Sequence, residues 1–145
     1  MILSNDVQVS DLVLTDEHDT VGMDDTLADA AGKLVALRRG ILVVLGDDNK
    51  VKGVISPVQI LMAVSGGSDV NSDTCGMHMD GDVMEVGLDD DIDEMIEMMN
   101  VRQPHAVVAV DVNGEFSGYF SPNDYREALA RLEATPAIRK LASHE

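Results

Sequence analysis

Apolar positions along this chain follow two rhythms, and both occur twice. Leu27, Ala30, Ala31, Leu34 and Val35 stand at i, i+3, i+4, i+7 and i+8, the spacing that gathers side chains on one helix face. Ile92, Met95, Ile96 and Met99 repeat it. Each helical stretch leads to a continuous apolar run, ILVVL (41–45) or AVVAV (106–110), which reads as a buried strand. An acidic turn follows, GDDNK (46–50) or DVNGE (111–115). The second turn holds Asn113-Gly114, a pair that takes positive φ readily, and Asp48-Asn49 is a weaker form of that hairpin signal. Each hairpin then runs into Ser-Pro, in GVISPVQ (53–59) and GYFSPND (118–124). Ser is a favoured N-cap and Pro suits the first helical position, so both segments predict a helix start. Short strands near Val21–Met23 and Met84–Leu88 precede the first helix of each set. Asp24, Asp25, Asp89 and Asp90 suit its cap and first turn, facing the positive end of the dipole.

Gly53 and Gly118 set an offset of 65 residues. At that offset VGMDDTL (21–27) falls on VGLDDDI (86–92), and LVL (12–14) falls on MHM (77–79). An ungapped register through several elements indicates a tandem duplication. The reading is an α+β fold: two β-α-β-β-α units packed sheet to sheet about a pseudo-two-fold axis, sharing a core. It divides the chain into an N-terminal segment (1–8), repeat 1 (9–64), a small polar connection suited to flexibility (65–74), repeat 2 (75–132) and a tail (133–145) expected as a short helix or frayed end.

Composition narrows the partners. With 27 Asp+Glu against 10 Lys+Arg, the formal net charge is −17. Such a surface repels phosphate backbones and anionic headgroups, which disfavours nucleic acid and membrane. It resembles the acidic surfaces of proteins from saline cytoplasm, and solubility alone accounts for it equally well. Aromatic residues make up 3% and Trp is absent, so the core must be aliphatic. A single cysteine, Cys75, excludes an internal disulfide and suggests a reducing compartment. No secretory leader or membrane-length apolar run is visible, so a cytoplasmic location is expected.

The order of elements, the hairpin and the closing pattern of glycine, two apolar residues, Ser/Thr, two residues and Asp resemble a tandem cystathionine β-synthase (CBS) domain pair, often called a Bateman module. The resemblance runs from about Val9 to Leu132. GYFSPND matches the closing pattern fully, and GVISPVQ departs at its last position, where Gln59 replaces the acid. The resemblance implies a non-enzymatic regulatory module without a required cofactor. Such pairs bind AMP, ADP, ATP or S-adenosylmethionine in clefts between repeats, form homodimers, and act on a regulated partner protein in trans. Carried onto this chain, it implies ribose binding by Asp124, with Ser121 near ribose or phosphate and Ala106 and Val107 facing adenine. Arg126 and then Arg38 are the phosphate candidates, although each reads somewhat more readily as a solvated surface arginine. Ser56, Gln59, Ile41 and Leu42 form the matched second site, expected to be weaker. A carboxylate accepts from both hydroxyls of a cis-diol, with charge-assisted strength, whereas Gln59 offers one uncharged amide oxygen.

Two other readings remain: a ligand-free dimerisation scaffold, and a small metal-binding protein. Cys75, Met77, His78 and Met79 offer soft ligands. However, the repeat register puts Met77 and Met79 on Leu12 and Leu14 and makes them ordinary packing. DVNGEFSG (111–118) fails as a calcium loop because Phe116 stands where glycine is needed. His105 reads either as a pH-sensitive ligand contact or as a partly exposed loop residue. No nucleophile elbow or phosphate loop points to catalysis.

Overall fold

A computed structural model describes residues 7–12, 14, 18–38, 40–122 and 124–131. The expectation for the tail 133–145 lies outside the described residues. After a 3-10 turn at Val9–Asp11 come β1 (His18–Gly22), α1 (Leu27–Leu37), β2 (Ile41–Leu45), β3 (Val51–Ile55) and α2 (Pro57–Ser65). A short helix α3 (Cys75–His78) opens the second half, followed by β4 (Val83–Gly87), α4 (Ile92–Arg102), β5 (Ala106–Val110) and β6 (Phe116–Phe120). A closing helix, α5, covers residues 124–131. From β1 through β3 every element maps onto its counterpart, β4 through β6, at the offset of 65 residues.

Each half builds one three-stranded sheet, ordered β1-β2-β3 or β4-β5-β6. The first pair in each is parallel and the second antiparallel. Parallel neighbours need a crossover, which α1 and α4 supply. The central strands are covered on both faces, so Leu42, Val43, Val44, Val108 and Ala109 are fully buried. This is why ILVVL and AVVAV show no alternation. Both sheets carry an irregularity at matched places, Val44/Leu45 and Ala109/Val110. The hairpin turns place positive φ at matched positions too, Asn49 (63°) and Gly114 (80°).

Several local expectations are corrected. The N-caps are Thr26 and Asp91, not the aspartates before them. Asp25 and Asp90 instead accept from the backbone N–H of Gly22 and Gly87, both at 2.8 Å, and hold the strand-to-helix turn. Val35 does not join the buried stripe and is 76% exposed.

The core is more divided than the shared core expected. Besides buried residues such as Val43, Val54 and Val108, which belong to neither cluster, it gathers into two clusters, and each is completed from the other half. Val9 and Leu12 pack with Met84, Ile92, Met95 and Phe120 of the second repeat. Cys75 and Met79 pack with Val21, Ala30, Leu42 and Ile55 of the first. Backbone bonds fix the exchange: Val9 N–H donates to Asp90 O (2.9 Å) and Ser10 N–H to Leu88 O (2.8 Å). In the mirror arrangement, Cys75 N–H donates to Asp25 O (2.8 Å) and Gly76 N–H to Met23 O (2.9 Å). These matched bonds relate the lead-in segments by 66 residues rather than 65, a slip of one. Met77 therefore takes the exposed place of Asp11 instead of the buried place of Leu12, and is 65% exposed. The register of 65 returns beyond the slip. A Cβ on Gly53 would meet Met79 Sδ at 2.8 Å, and one on Gly118 would meet Leu14 Cδ1 at 3.0 Å. Both glycines are needed where the exchanged segment crosses the hairpin strand.

Residues 65–74 are tied down rather than loose. Leu27 N–H donates to Asp73 O and Ala28 N–H to Val70 O, at 3.0 and 2.9 Å. Asp69 accepts from the Ser72 hydroxyl (2.7 Å), which lowers its pKa below the usual carboxylate value.

A candidate ligand pocket at the start of the closing helix

The chain leaves β6 at Phe120 and turns into α5 through Ser121 and Pro122. The turn is held by a reciprocal cap. Asp124 Oδ2 accepts from Ser121 N–H (2.9 Å) and from the Ser121 hydroxyl (3.0 Å), and Ser121 Oγ accepts from Asp124 N–H (3.1 Å). Ser121 and Asp124 are 4% and 3% exposed and are the buried polar residues of the described core. Repeat 1 builds the same cap with Gln59, whose Oε1 accepts from Ser56 N–H (2.8 Å) and the Ser56 hydroxyl. The acid is therefore not required by the fold at this position, because an amide does the capping equally well in the matched copy.

Beside this turn a cavity of about 290 Å³ opens between α4, β5, β6 and α5. That is near the lower bound of the roughly 300–1,000 Å³ typical of small-molecule sites. Ala106 and Val107 line it from β5, and Ser121 from the helix start. Asp124 stands behind Ser121, joined to it by the cap. Arg126 is exposed on α5, and Arg38 is exposed at the end of α1 in the other repeat. Neither arginine lines the cavity. Of the second-site residues, Leu42 is fully buried in the first core and Ser56 and Gln59 are engaged in their cap. Ile41 is half-buried at the start of β2. Among the described residues the lining belongs to 99–125, so the described walls of this cavity come from repeat 2 rather than from both repeats.

Its mouth is shaped by how α4 stops. Gln103 adopts a left-handed conformation (φ 48°, ψ 57°) and its N–H returns to Met99 O at 2.8 Å. Pro104 then bars further helix. His105 follows at the rim, with Nδ1 2.7 Å from Asp80 Oδ2 and Nε2 3.6 Å from Asp82 Oδ2. The Asp80 hydrogen bond, then the charges of Asp80 and Asp82, raise the imidazole pKa above its ordinary value. Asp80 is in turn paired through its backbone with Val54 on β3, at 2.8 and 2.9 Å. The rim thus connects the second repeat's cavity to the first repeat's sheet.

Sequence reasoning missed Met99, Asn100, Gln103, Tyr119, Phe120 and Tyr125, which complete the lining. One signal was available: the four aromatic residues of the whole chain all fall within 116–125, and three of them line the cavity. The Tyr125 hydroxyl also donates to Asn100 Oδ1 (3.3 Å), across one wall. The Cys75–Met79 segment forms no comparable site. Cys75 is buried in the first core, which pushes its thiol pKa up to about 11, and His78 bonds Asp73 at 2.8 Å. Among the described residues no group of three His, Cys, Asp or Glu is arranged to hold a metal. No helix among them is long and apolar enough to cross a membrane.

The family model for the CBS domain matches the chain twice, at residues 9–66 and 74–131. No curated protein sequence matches it significantly. Among solved structures, it resembles a CBS domain protein from Pyrobaculum aerophilum complexed with AMP, at 24% identity and TM-score 0.71, covering 88% of this chain and 99% of that one. A CBS-domain containing protein from Agrobacterium tumefaciens is 26% identical, with TM-score 0.65 and coverage of 83% and 97%. A putative acetoin utilization protein from Vibrio cholerae is 20% identical, with TM-score 0.71 and coverage of 88% and 93%. Two family matches, two like sheets and solved relatives of the same architecture lead to one conclusion: the chain belongs to the CBS-domain family and is a tandem CBS pair.

Proposed function

We propose that this CBS pair is a non-enzymatic regulatory module, that its second repeat binds an adenosine-containing ligand, and that binding is signalled in trans to a partner protein. The observation that supports this reading is the cavity beside the Ser121–Asp124 helix start, walled by β5 and by Tyr119, Phe120 and Tyr125. A flat heteroaromatic base suits that aliphatic and aromatic wall. The carboxylate at the helix start suits a ribose cis-diol. The complex of the Pyrobaculum aerophilum relative with AMP points the same way. His105, Asp80 and Val54 offer a route by which an occupant would bias one arrangement of the repeats, and a ligand shifts such an equilibrium only by its differential affinity. A thermal-shift series with adenosine, AMP, ATP and S-adenosylmethionine tests the reading. At 100-fold over Kd the stabilisation is about 2.7 kcal/mol, and a flat response to all four removes the proposal.

A specific observation also favours homodimerisation, with or without ligand. The sequence of α2, PVQILMAVS, holds no charge in a chain of net charge −17. Val58, Leu61, Met62 and Val64 are all exposed on it, with Val35 of the neighbouring α1. A second copy brings the same uncharged strip and so meets this face without setting acid against acid. Light scattering should find a dimer that Leu61→Glu with Met62→Glu converts to monomer. An unchanged mass would eliminate this face as the interface.

A further inference from the structure

Building on the adenosine reading, we infer that the repeat 2 cavity selects ligands whose 5′ substituent is neutral or cationic and discriminates against 5′-phosphates. A phosphate carries between one and two negative charges near neutral pH, and its desolvation must be offset by a cation or by several aligned donors. Among the described residues, no Lys or Arg lines the cavity. The lining group able to carry positive charge near neutrality, His105, is already bonded to Asp80 at 2.7 Å and lies 3.6 Å from Asp82. An arriving phosphate would have to compete with two carboxylates for one imidazole. The helix start is committed as well, because Asp124 Oδ2 accepts from Ser121 N–H and from its hydroxyl. A third carboxylate, that of Asp124, thus lies directly behind Ser121 and adds its negative charge to this end of the cavity. A sulfonium or a neutral thioether, by contrast, faces no repulsion from Asp80, Asp82 or Asp124.

Repeat 1 carries a cation at the matched position. The position matched to Gln103 is Arg38, also at positive φ (67° against 48°). Gln103→Arg therefore transplants a cation to the pocket mouth, at a positive-φ position whose counterpart in repeat 1 already carries an arginine.

Isothermal titration at fixed ionic strength with adenosine, AMP, ATP and S-adenosylmethionine tests the inference. S-adenosylmethionine and adenosine should bind more tightly than AMP, and AMP more tightly than ATP. Gln103→Arg should strengthen AMP binding about fivefold, the size of one charge pair at 4 Å in water, with adenosine unchanged. AMP or ATP binding more tightly than adenosine to the unaltered protein overturns the selectivity and leaves the adenosine site standing. Binding by none of the four overturns both.

Discussion

The two repeats share an architecture and differ in chemistry at matched positions, which separate what the fold needs from what it leaves free to vary. Both halves have a three-stranded sheet, a crossover helix and a capped closing helix. At the cap, repeat 1 uses Gln59 and repeat 2 uses Asp124. At the end of the crossover helix they place Arg38 and Gln103, and just before the central strand Gly40 and His105. On the closing helix, exposed Leu61 is matched by exposed Arg126. The closing helix of repeat 1 is thus apolar outside and amide-capped, whereas that of repeat 2 is polar outside and carries a buried carboxylate beside a cavity. The first has the attributes of an interface, the second those of a site.

The exchanged lead-ins give the strongest way to break this comparison. Val9 and Cys75 are both fully buried, each in the core of the other repeat. Val9→Asp or Cys75→Asp would bury an unpaired charge, at a cost of several kcal/mol. Hydrogen exchange should show Val9→Asp loosening β4–β6 first and Cys75→Asp loosening β1–β3 first. Loss confined to the mutated repeat would mean the segments are not exchanged.

Swapping the cap residues has a smaller effect on stability and a sharper one on binding. Asp124→Gln should keep the cap, as Gln59 does, and change stability by under about 1 kcal/mol while abolishing the response to adenosine-type ligands. Asp124→Ala should lose a further ~1 kcal/mol with the cap itself. If Asp124→Gln binds as the parent protein does, the carboxylate has no part in recognition and the asymmetry between repeats is structural only.

The smallest effect is at the rim. Because His105 has a folded pKa raised above its ordinary value of 6.5, its pairing contributes stability below about pH 6.5, and the contribution fades as pH rises through the folded value. An NMR titration should place the midpoint above 6.5, and Asp80→Asn should bring it down. An unshifted midpoint in the parent protein would disconnect the rim from Asp80.

Much of the architecture was legible in the sequence. The offset between Gly53 and Gly118 predicted matched elements because a repeated local pattern of strand, turn and cap chemistry reproduces the same local structure each time. Asn49 and Gly114, Ser56 and Ser121, and the two β-branched runs each act within a few residues of themselves. The caps at Thr26 and Asp91 were misplaced by one or two residues because the aspartates before them had equal intrinsic suitability. Only the turn geometry showed that Asp25 and Asp90 reach back to Gly22 and Gly87.

What the sequence by itself determined was local: two units of one design, an aliphatic core, and an acid in one closing segment only. Tertiary structure decided which half each lead-in completes, because Val9 and Cys75 have no local partner and their burial depends on distant surfaces. It set the one-residue slip that exposes Met77, since hydrogen bonds to Asp25 O rather than apolar alternation fix that register. It also brought His105 to Asp80, 25 residues away, and gathered Tyr119, Phe120 and Tyr125 about one cavity. The distance between chemical groups remote in sequence is a property of the packed chain and is not written in either repeat alone.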